Sequence, residues 1–480
     1  MYDVVIIGAG IVGAAVAYEL SKYRLKTAVI EKQDDVAKGT TRANSAIIHA
    51  GYDPEPGTLM ARSNVRGSLL WKQLTEELGI DYKITGSLVV ARNPAESEIV
   101  RELYEKGVVN GVEGLSILSR DEALAAEPEL NSNIDTALLA ETAAVINPWQ
   151  ACIALSEFAA ANGAEFFFNS EVGKIEKLDG YYRIEAGGII LEGSYIVNAA
   201  GVDAEQVHKL AGGAGFGAYT VRGEYYLLDK NQGDFVSKVL FPVPGKAGKG
   251  VVVVPTVHGN LLVGATAERN EDKFDTANTA RGLAAVRAQA SILCDGIAFY
   301  ENIRNFAGNR AYIERDDFLV EESGEAKGLI NMAGIKSPGL SSAPALAEEV
   351  LRIIEGLGCS LEKKEKILPY RLPERFIDLS EEEQTELIRA KADFGRVICR
   401  CETVTEGEIR RALEGRLAQP TISAVKRRTG AGMGRCQGGF CSVRVHELIA
   451  RQRALDYASV SLDGGESFIV TGETKEGSLI

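Results

Sequence analysis

Four stretches of this chain hold residues whose types and spacing could do chemistry. In the first, the apolar run Tyr2-Asp-Val-Val-Ile-Ile7 leads into Gly8-Ala-Gly10-Ile-Val-Gly13, and residues 14–20 continue with helical spacing. Gly8 permits a tight turn out of a strand, Gly10 lets a pyrophosphate approach the backbone, and Gly13 lets a helix pack closely on a sheet. The free N–H groups at the helix start then face the phosphates. A second strand over 26–30 ends in Glu31, an acid where a ribose 2′-hydroxyl would be held and a phosphorylated nicotinamide repelled. Strand, glycine triplet, helix, strand and acid in this order predict a dinucleotide site.

The second stretch, Gly39-Thr-Thr-Arg-Ala-Asn-Ser-Ala-Ile-Ile-His-Ala-Gly51, is rich in small and hydroxylic residues, so it can run close along a ligand. Thr41, Asn44 and Ser45 are its candidate cofactor contacts. His49 lies among apolar residues, and on the residues alone a satisfied core histidine is the favoured reading over a catalytic one.

The third consists of two further glycine turns. The strand Tyr195-Ile-Val-Asn-Ala-Ala200 ends at Gly201, where backbone could pass a nucleotide. The strand within Leu329-Ile-Asn-Met-Ala-Gly-Ile-Lys-Ser-Pro-Gly339 passes through a Gly/Ser/Pro turn into a helix expected over 342–354. That helix would aim its positive end at whatever is bound, as a reduced flavin ring requires. An ordinary strand–turn–helix crossover has the same pattern.

The fourth is Cys399-Arg-Cys401 and Cys436-Gln-Gly-Gly-Phe-Cys441, with 34 residues between the pairs. Thr405-Glu-Gly-Glu408 is a capping box for one helix, and a second over 422–428 ends at Gly430. The cysteines therefore sit on loops around a small helical hairpin. Four thiolates suit zinc or a [2Fe–2S] cluster, but Cys-x-Cys is less typical of zinc knuckles. Gly430-Ala-Gly-Met-Gly434 also offers N–H groups to negatively charged sulfurs. Iron–sulfur is the favoured expectation.

The elements positioning these stretches are those of an α/β protein. At 480 residues, 45% apolar and 25% charged, the chain predicts a globular protein of two or three domains. Its net charge of −14 argues against a general nucleic-acid surface, so an anionic substrate must be drawn in by local Arg and Lys. No apolar stretch approaches the ~20 residues of a membrane span, and Met1 leads directly into the first strand, so a cytoplasmic protein is expected. Cys152, Cys294 and Cys359 are isolated, and this uneven clustering favours metal over disulfides. An amphipathic helix is expected over 62–79, a strand over 87–91, charged helices to about 129, and a helix over 148–161 opened by Asn147. A block of β character over 219–228, 251–255 and 261–265 fits a largely antiparallel substrate domain. Helices over 279–293 and 380–392 follow, the second within a charged linker.

Residues 1 to about 360 resemble the FAD-dependent oxidoreductases of the D-amino-acid-oxidase type, in particular glycerol-3-phosphate dehydrogenases and oxidases and L-2-hydroxyglutarate dehydrogenases. The matching motifs are Gly8–Gly13 with Glu31, Ala43-Asn-Ser-Ala-Ile-Ile-His-Ala-Gly51, Asn198-Ala-Ala-Gly201, Arg222-Gly-Glu-Tyr225 and Ser337-Pro-Gly-Leu-Ser341. Residues 396 to about 452 resemble the bacterioferritin-associated-ferredoxin-like [2Fe–2S] module, carried also by the large subunit of anaerobic glycerol-3-phosphate dehydrogenases.

The resemblance implies an FAD-binding Rossmann-like domain over 1–80, 146–215 and 311–360, with an inserted, mainly antiparallel substrate domain over 81–145 and 216–310. A linker over 361–395, a small helical four-cysteine iron–sulfur domain over 396–455 and a tail over 456–480 complete it. It makes His49 the histidine beside a non-covalent flavin and Arg310 the holder of the substrate anion. Ser337, Gly339, Leu340 and Ser341 form the turn under the flavin ring, Lys249 contacts a phosphate, and Cys399, Cys401, Cys436 and Cys441 hold the cluster. Lys336 departs from the pattern, since an acid often precedes this turn. The implied reaction is oxidation of glycerol 3-phosphate to dihydroxyacetone phosphate, with His49 taking the hydroxyl proton. Electrons would leave through the cluster to a partner flavoprotein or a quinone-linked subunit, through which the chain could sit at the inner membrane. The alternatives are a 2-hydroxy-acid dehydrogenase, an amine or amino-acid dehydrogenase, and a non-catalytic redox or assembly subunit.

Overall fold

The computed structural model describes residues 1–245, 250–470 and 472. Lys246 and Lys249 lie outside the described residues. The organising element is the apolar strand Tyr2–Ile7, buried from Val4 onward. It pairs in parallel with Thr27–Ile30 on one side and Ile189–Asn198 on the other, and the latter pairs with Leu329–Ala333. These strands form the centre of an eight-stranded sheet. Helices Ile11–Leu20, Pro148–Ala161 and Gly339–Gly356 share its largest apolar core. A Cβ at Gly13 would lie 2.0 Å from the Gly8 carbonyl oxygen, so only glycine allows the first helix to sit this close to the turn.

Helix Leu59–Leu78 begins three residues before its expected start, because the Thr58 side chain accepts from the Ala61 N–H and caps it. It packs on helix Gly339–Gly356 at Gly67, where a Cβ would meet the Ser341 carbonyl oxygen at 2.1 Å. Trp71, fully buried on the same helix, donates its indole N–H to the Leu340 carbonyl at 2.8 Å. The turn at 337–341 is therefore braced from behind.

The second sheet has nine strands and takes them from two parts of the chain, including Ser87–Ala91, Thr136–Ala140, Tyr219–Leu228 and Asn302–Tyr312. Its pairings are antiparallel except for Ser87–Ala91 with Val239–Pro242. The long pair Tyr219–Leu228 and Asn302–Tyr312 sets Val221 opposite Arg310 and Tyr225 opposite Phe306. This register delivers Arg310 to the site. Residues 363–372 run back along the first domain, with Lys364 donating to the Ser21 carbonyl and Leu372 to that of Leu78.

The C-terminal module has its own core, built on Val404, Ile409, Leu413, Val425, Val445 and Ile449. Helices Glu406–Glu414 and Ile422–Thr429 form where expected, the first behind the capping box at Thr405. A third helix, Ser442–Arg453, follows Cys441 and makes the unit a three-helix module rather than a hairpin. Among the described residues no helix is long and apolar enough to cross a membrane.

Candidate active site and cysteine centre

A cavity of about 510 Å³ opens where the two sheets meet. Gly8, Gly10, Glu31, Thr41, Asn44, Ser45, Gly201, Ser337, Gly339 and Leu340 all line it, with His49, Arg310 and Lys336. Two helices, Ile11–Leu20 and Gly339–Gly356, begin at its wall with no cap from the preceding residue's side chain and no acid in the first turn. The aligned helix dipoles suit an anion there. Glu31 accepts from the Ala9 N–H at 2.8 Å and from the Gln33 N–H at 2.9 Å. Burial pushes its carboxyl above the usual range, although these hydrogen bonds oppose the shift. It thus braces the glycine turn as well as facing the cavity.

The residues of 39–51 hold one another. Thr41 Oγ1 accepts from the Ile11 N–H at 2.9 Å, and Asn44 accepts from the Ala46 N–H at 2.7 Å. His49 is fixed through its backbone: its N–H donates to Ser341 Oγ at 2.8 Å, and its carbonyl accepts from Asn64 at 2.6 Å. Its ring Nε2 lies 3.3 Å from Ser337 Oγ, and the ring packs 5.7 Å from that of Phe241. Ser341 is fully buried and off the cavity wall, so its part is to position His49. Gly13 likewise acts through helix packing. Asn64 and Gly67, buried within a long amphipathic helix, had no motif to mark them; a glycine and an asparagine on its buried face were the only signal.

Arg310 donates to the Thr266 carbonyl at 3.2 Å and to Tyr225 Oη at 3.3 Å. Burial disfavours its charge, but the oxygens of Tyr225 and Tyr312 hold its pKa above the ordinary value. Tyr225 stacks on Phe306 with ring centres 4.7 Å apart, and its hydroxyl meets Ser45 Oγ at 3.2 Å. Lys336 Nζ stands 4.7 Å over the Tyr312 ring. The arrangement joins a ring nitrogen able to take a proton to two cations able to hold an anion.

At the other end of the chain, Cys399 lies against Cys441 and Cys401 against Cys436. The Cys441 thiol and the N–H groups of Gly432, Glu402 and Cys401 together hold Cys399 down to about 6. Among the described residues no three His, Cys, Asp or Glu side chains surround one point that would hold a single ion. Two facing pairs can give each of two irons two thiolates.

Ion pairs join this module to the first domain, buried at Asp35 and part-exposed at Asp463. Asp35, with no exposure, takes Arg427 and Arg428, each at 2.7 Å. Asp463 takes Arg427 at 3.2 Å, Lys38 at 3.1 Å and Arg42 at 2.8 Å. Lys38 and Arg42 also line the cavity.

Residues 3–353 match the family model of FAD dependent oxidoreductases, and residues 397–451 that of the BFD-like [2Fe-2S] binding domain. The chain belongs to the FAD-dependent oxidoreductase family, and its cofactors are FAD and a [2Fe–2S] cluster. It is similar to the glycerol 3-phosphate dehydrogenase of Caloramator mitchellensis, 47% identical over 99% of both chains. The glycerol 3-phosphate oxidase of Mycoplasma pneumoniae is 33% identical over 73% of this chain and 94% of that one. The solved structure of the dithionite-reduced L-alpha-glycerophosphate oxidase of Mycoplasma pneumoniae, with FAD bound, superposes with a TM-score of 0.74. It is 32% identical and covers 78% of this chain and 99% of that chain.

Proposed function

We propose that this protein oxidises glycerol 3-phosphate to dihydroxyacetone phosphate and passes the electrons outward through its cysteine module. What carries the reading is that His49, Arg310 and Lys336 share one cavity with two helix starts that have no acid in the first turn. The name of the full-length relative supports the same substrate. Bound FAD supplies the two-electron acceptor, and the cluster a one-electron route away from it.

The chain's own residues bind, orient and deprotonate. Arg310 holds the phosphate with its paired N–H groups, and Lys336 adds the second cation that a dianion favours over a carboxylate. Tyr225 fixes the guanidinium plane from one side and the Thr266 carbonyl from another. With the anion so held, the secondary alcohol falls to His49, which takes up the hydroxyl proton at Nε2, the nitrogen beside Ser337. Ser341, Asn64 and Gly67 keep the His49 backbone in place.

The test is anaerobic bleaching of the flavin by glycerol 3-phosphate, 2-hydroxyglutarate and a set of amino acids. Glycerol 3-phosphate should bleach it and yield dihydroxyacetone phosphate. If either of the others reduces the flavin at least tenfold more efficiently, the phosphate reading is wrong.

A further inference from the structure

The cysteine module is the basic part of an acidic protein. Residues 396–455 hold twelve Lys and Arg against five Asp and Glu, whereas the whole chain carries −14. Part of that charge is paired, Arg427 and Arg428 with buried Asp35, and Arg396 and Arg410 with Glu406. Others lie beside the cysteines in the chain. Arg400 stands between Cys399 and Cys401, and Arg444 lies on the first turn of the helix after Cys441. Both are exposed, and neither has an ion-pair partner among the described residues. Arg304, also exposed, reaches in from the substrate domain to Gln437 at 3.2 Å.

Among these charges the surface is apolar. Phe440, next to Cys441, is 86% exposed; Val443, three residues on, is 57% exposed; and Cys401 is itself exposed. A single exposed apolar residue means little. Here a phenyl ring and an isopropyl group sit within one turn of chain, beside the redox ligands, with Arg400 and Arg444 close along the chain and Arg304 in contact with Gln437. An apolar centre with a polar rim is the anatomy of a docking surface, and rim charges govern encounter and choice of partner.

We infer that this face, with exposed Phe440 and Val443 and with Arg304, Arg400 and Arg444 as its cations, docks a small acidic protein that carries one electron at a time. The inference rests on the proposal that electrons leave through the module. Each alcohol oxidised to its ketone releases two electrons and two protons. Two oxidised carriers therefore take one electron each in successive dockings, and the protons go to water. Such an encounter needs to be brief, and a small interface with strong charge steering serves that.

The experiment uses the holoenzyme and two carriers of opposite charge: plastocyanin, an acidic copper protein, and cytochrome c, a basic haem protein. Binding of each is measured by surface plasmon resonance without substrate, and reduction of each with glycerol 3-phosphate. Plastocyanin should bind, more weakly as salt rises, and should be reduced. The double variant Arg400→Glu/Arg444→Glu, and separately Phe440→Ser, should weaken that binding at least tenfold while iron content and flavin bleaching stay unchanged. Cytochrome c binding as tightly as plastocyanin, unaltered binding in both variants, or no plastocyanin binding overturns the inference. So does a wild-type dimer in sedimentation that Phe440→Ser converts to monomer, because a second copy would then cover the face. Absence of bleaching by glycerol 3-phosphate would count against the proposed substrate alone, since the binding arm needs no substrate.

Discussion

The Tyr225 hydroxyl meets the Arg310 guanidinium at 3.3 Å while its ring lies flat on Phe306, 11° from parallel. The stack leaves the tyrosine little freedom, so its hydroxyl is a fixed stop for the arginine. Removing it with Tyr225→Phe should cost about 1 kcal/mol of substrate binding, roughly fivefold in KM, and leave flavin reduction at saturation nearly unchanged. An equal fall in kcat would mean that Tyr225 acts on the reacting atoms instead.

Arg310 and His49 should separate cleanly in kinetics. Arg310→Ala should raise the dissociation constant for glycerol 3-phosphate by ~30-fold or more, about 2 kcal/mol or above. His49→Ala should slow flavin reduction by about 10²- to 10⁴-fold with little change in substrate binding. Stopped-flow reduction over a range of substrate concentrations measures both quantities. A His49 variant that reduces its flavin at the normal rate removes the histidine from the chemistry.

Changing Cys399, Cys401, Cys436 or Cys441 to Ser should abolish the iron and sulfide, which in the wild type should be two of each per chain. Substrate should still bleach the flavin in these variants, because the module folds around its own core at Ile409 and Ile449. Stoichiometric zinc without iron, in protein prepared without air, would contradict the cluster.

The joint between module and first domain should loosen in acid. Burial opposes charge on Asp35 and Asp463, yet Arg428 and Arg427 for the one, and Lys38 with Arg427 for the other, hold both carboxyls below their ordinary range. A carboxyl whose pKa is lowered by folding adds stability above its unfolded pKa of about 3.9 and loses it as pH falls through the folded value. Amide protection factors at the joint, corrected for the intrinsic exchange rate, should therefore fall below about pH 4 and stay flat near neutrality. Asp35→Asn, which leaves two buried arginines short of their counter-ion, should cost about 3–5 kcal/mol at pH 7. Thermal unfolding of the variant measures that loss.

What was legible in the sequence was what is local in it. Gly8, Gly10, Gly13 and Glu31 fall within one strand–helix–strand unit, and the four cysteines announce themselves by type. The helix Ser442–Arg453 was not legible, because it begins at Cys441 with no side-chain cap and follows a glycine-rich loop. Arg310 needed the family resemblance to be singled out, since only the register of two strands brings it to Tyr225, 85 residues away. The pairing of Asp35 with Arg427, 392 residues apart, leaves no local trace at all. Ser341 reads as part of a ligand-binding turn, but its hydroxyl points into the protein, a distinction that only side-chain direction makes.

Lys38 and Asp463 are separated by 425 residues of chain. At ~5–20 residues per second, the ribosome makes Asp463 about 20–85 s after Lys38. Through that interval the loop carrying Lys38 and Arg42 lacks the carboxylate that pins both of them. The nascent first domain is thus complete in its strands before one wall of its cavity acquires that anchor, and the wall is secured only when the residues beyond the cysteine module arrive. A message cut short after the first domain would yield a chain with every glycine of the dinucleotide turn in place, Lys38 held by Asp34 alone and Arg42 without its carboxylate.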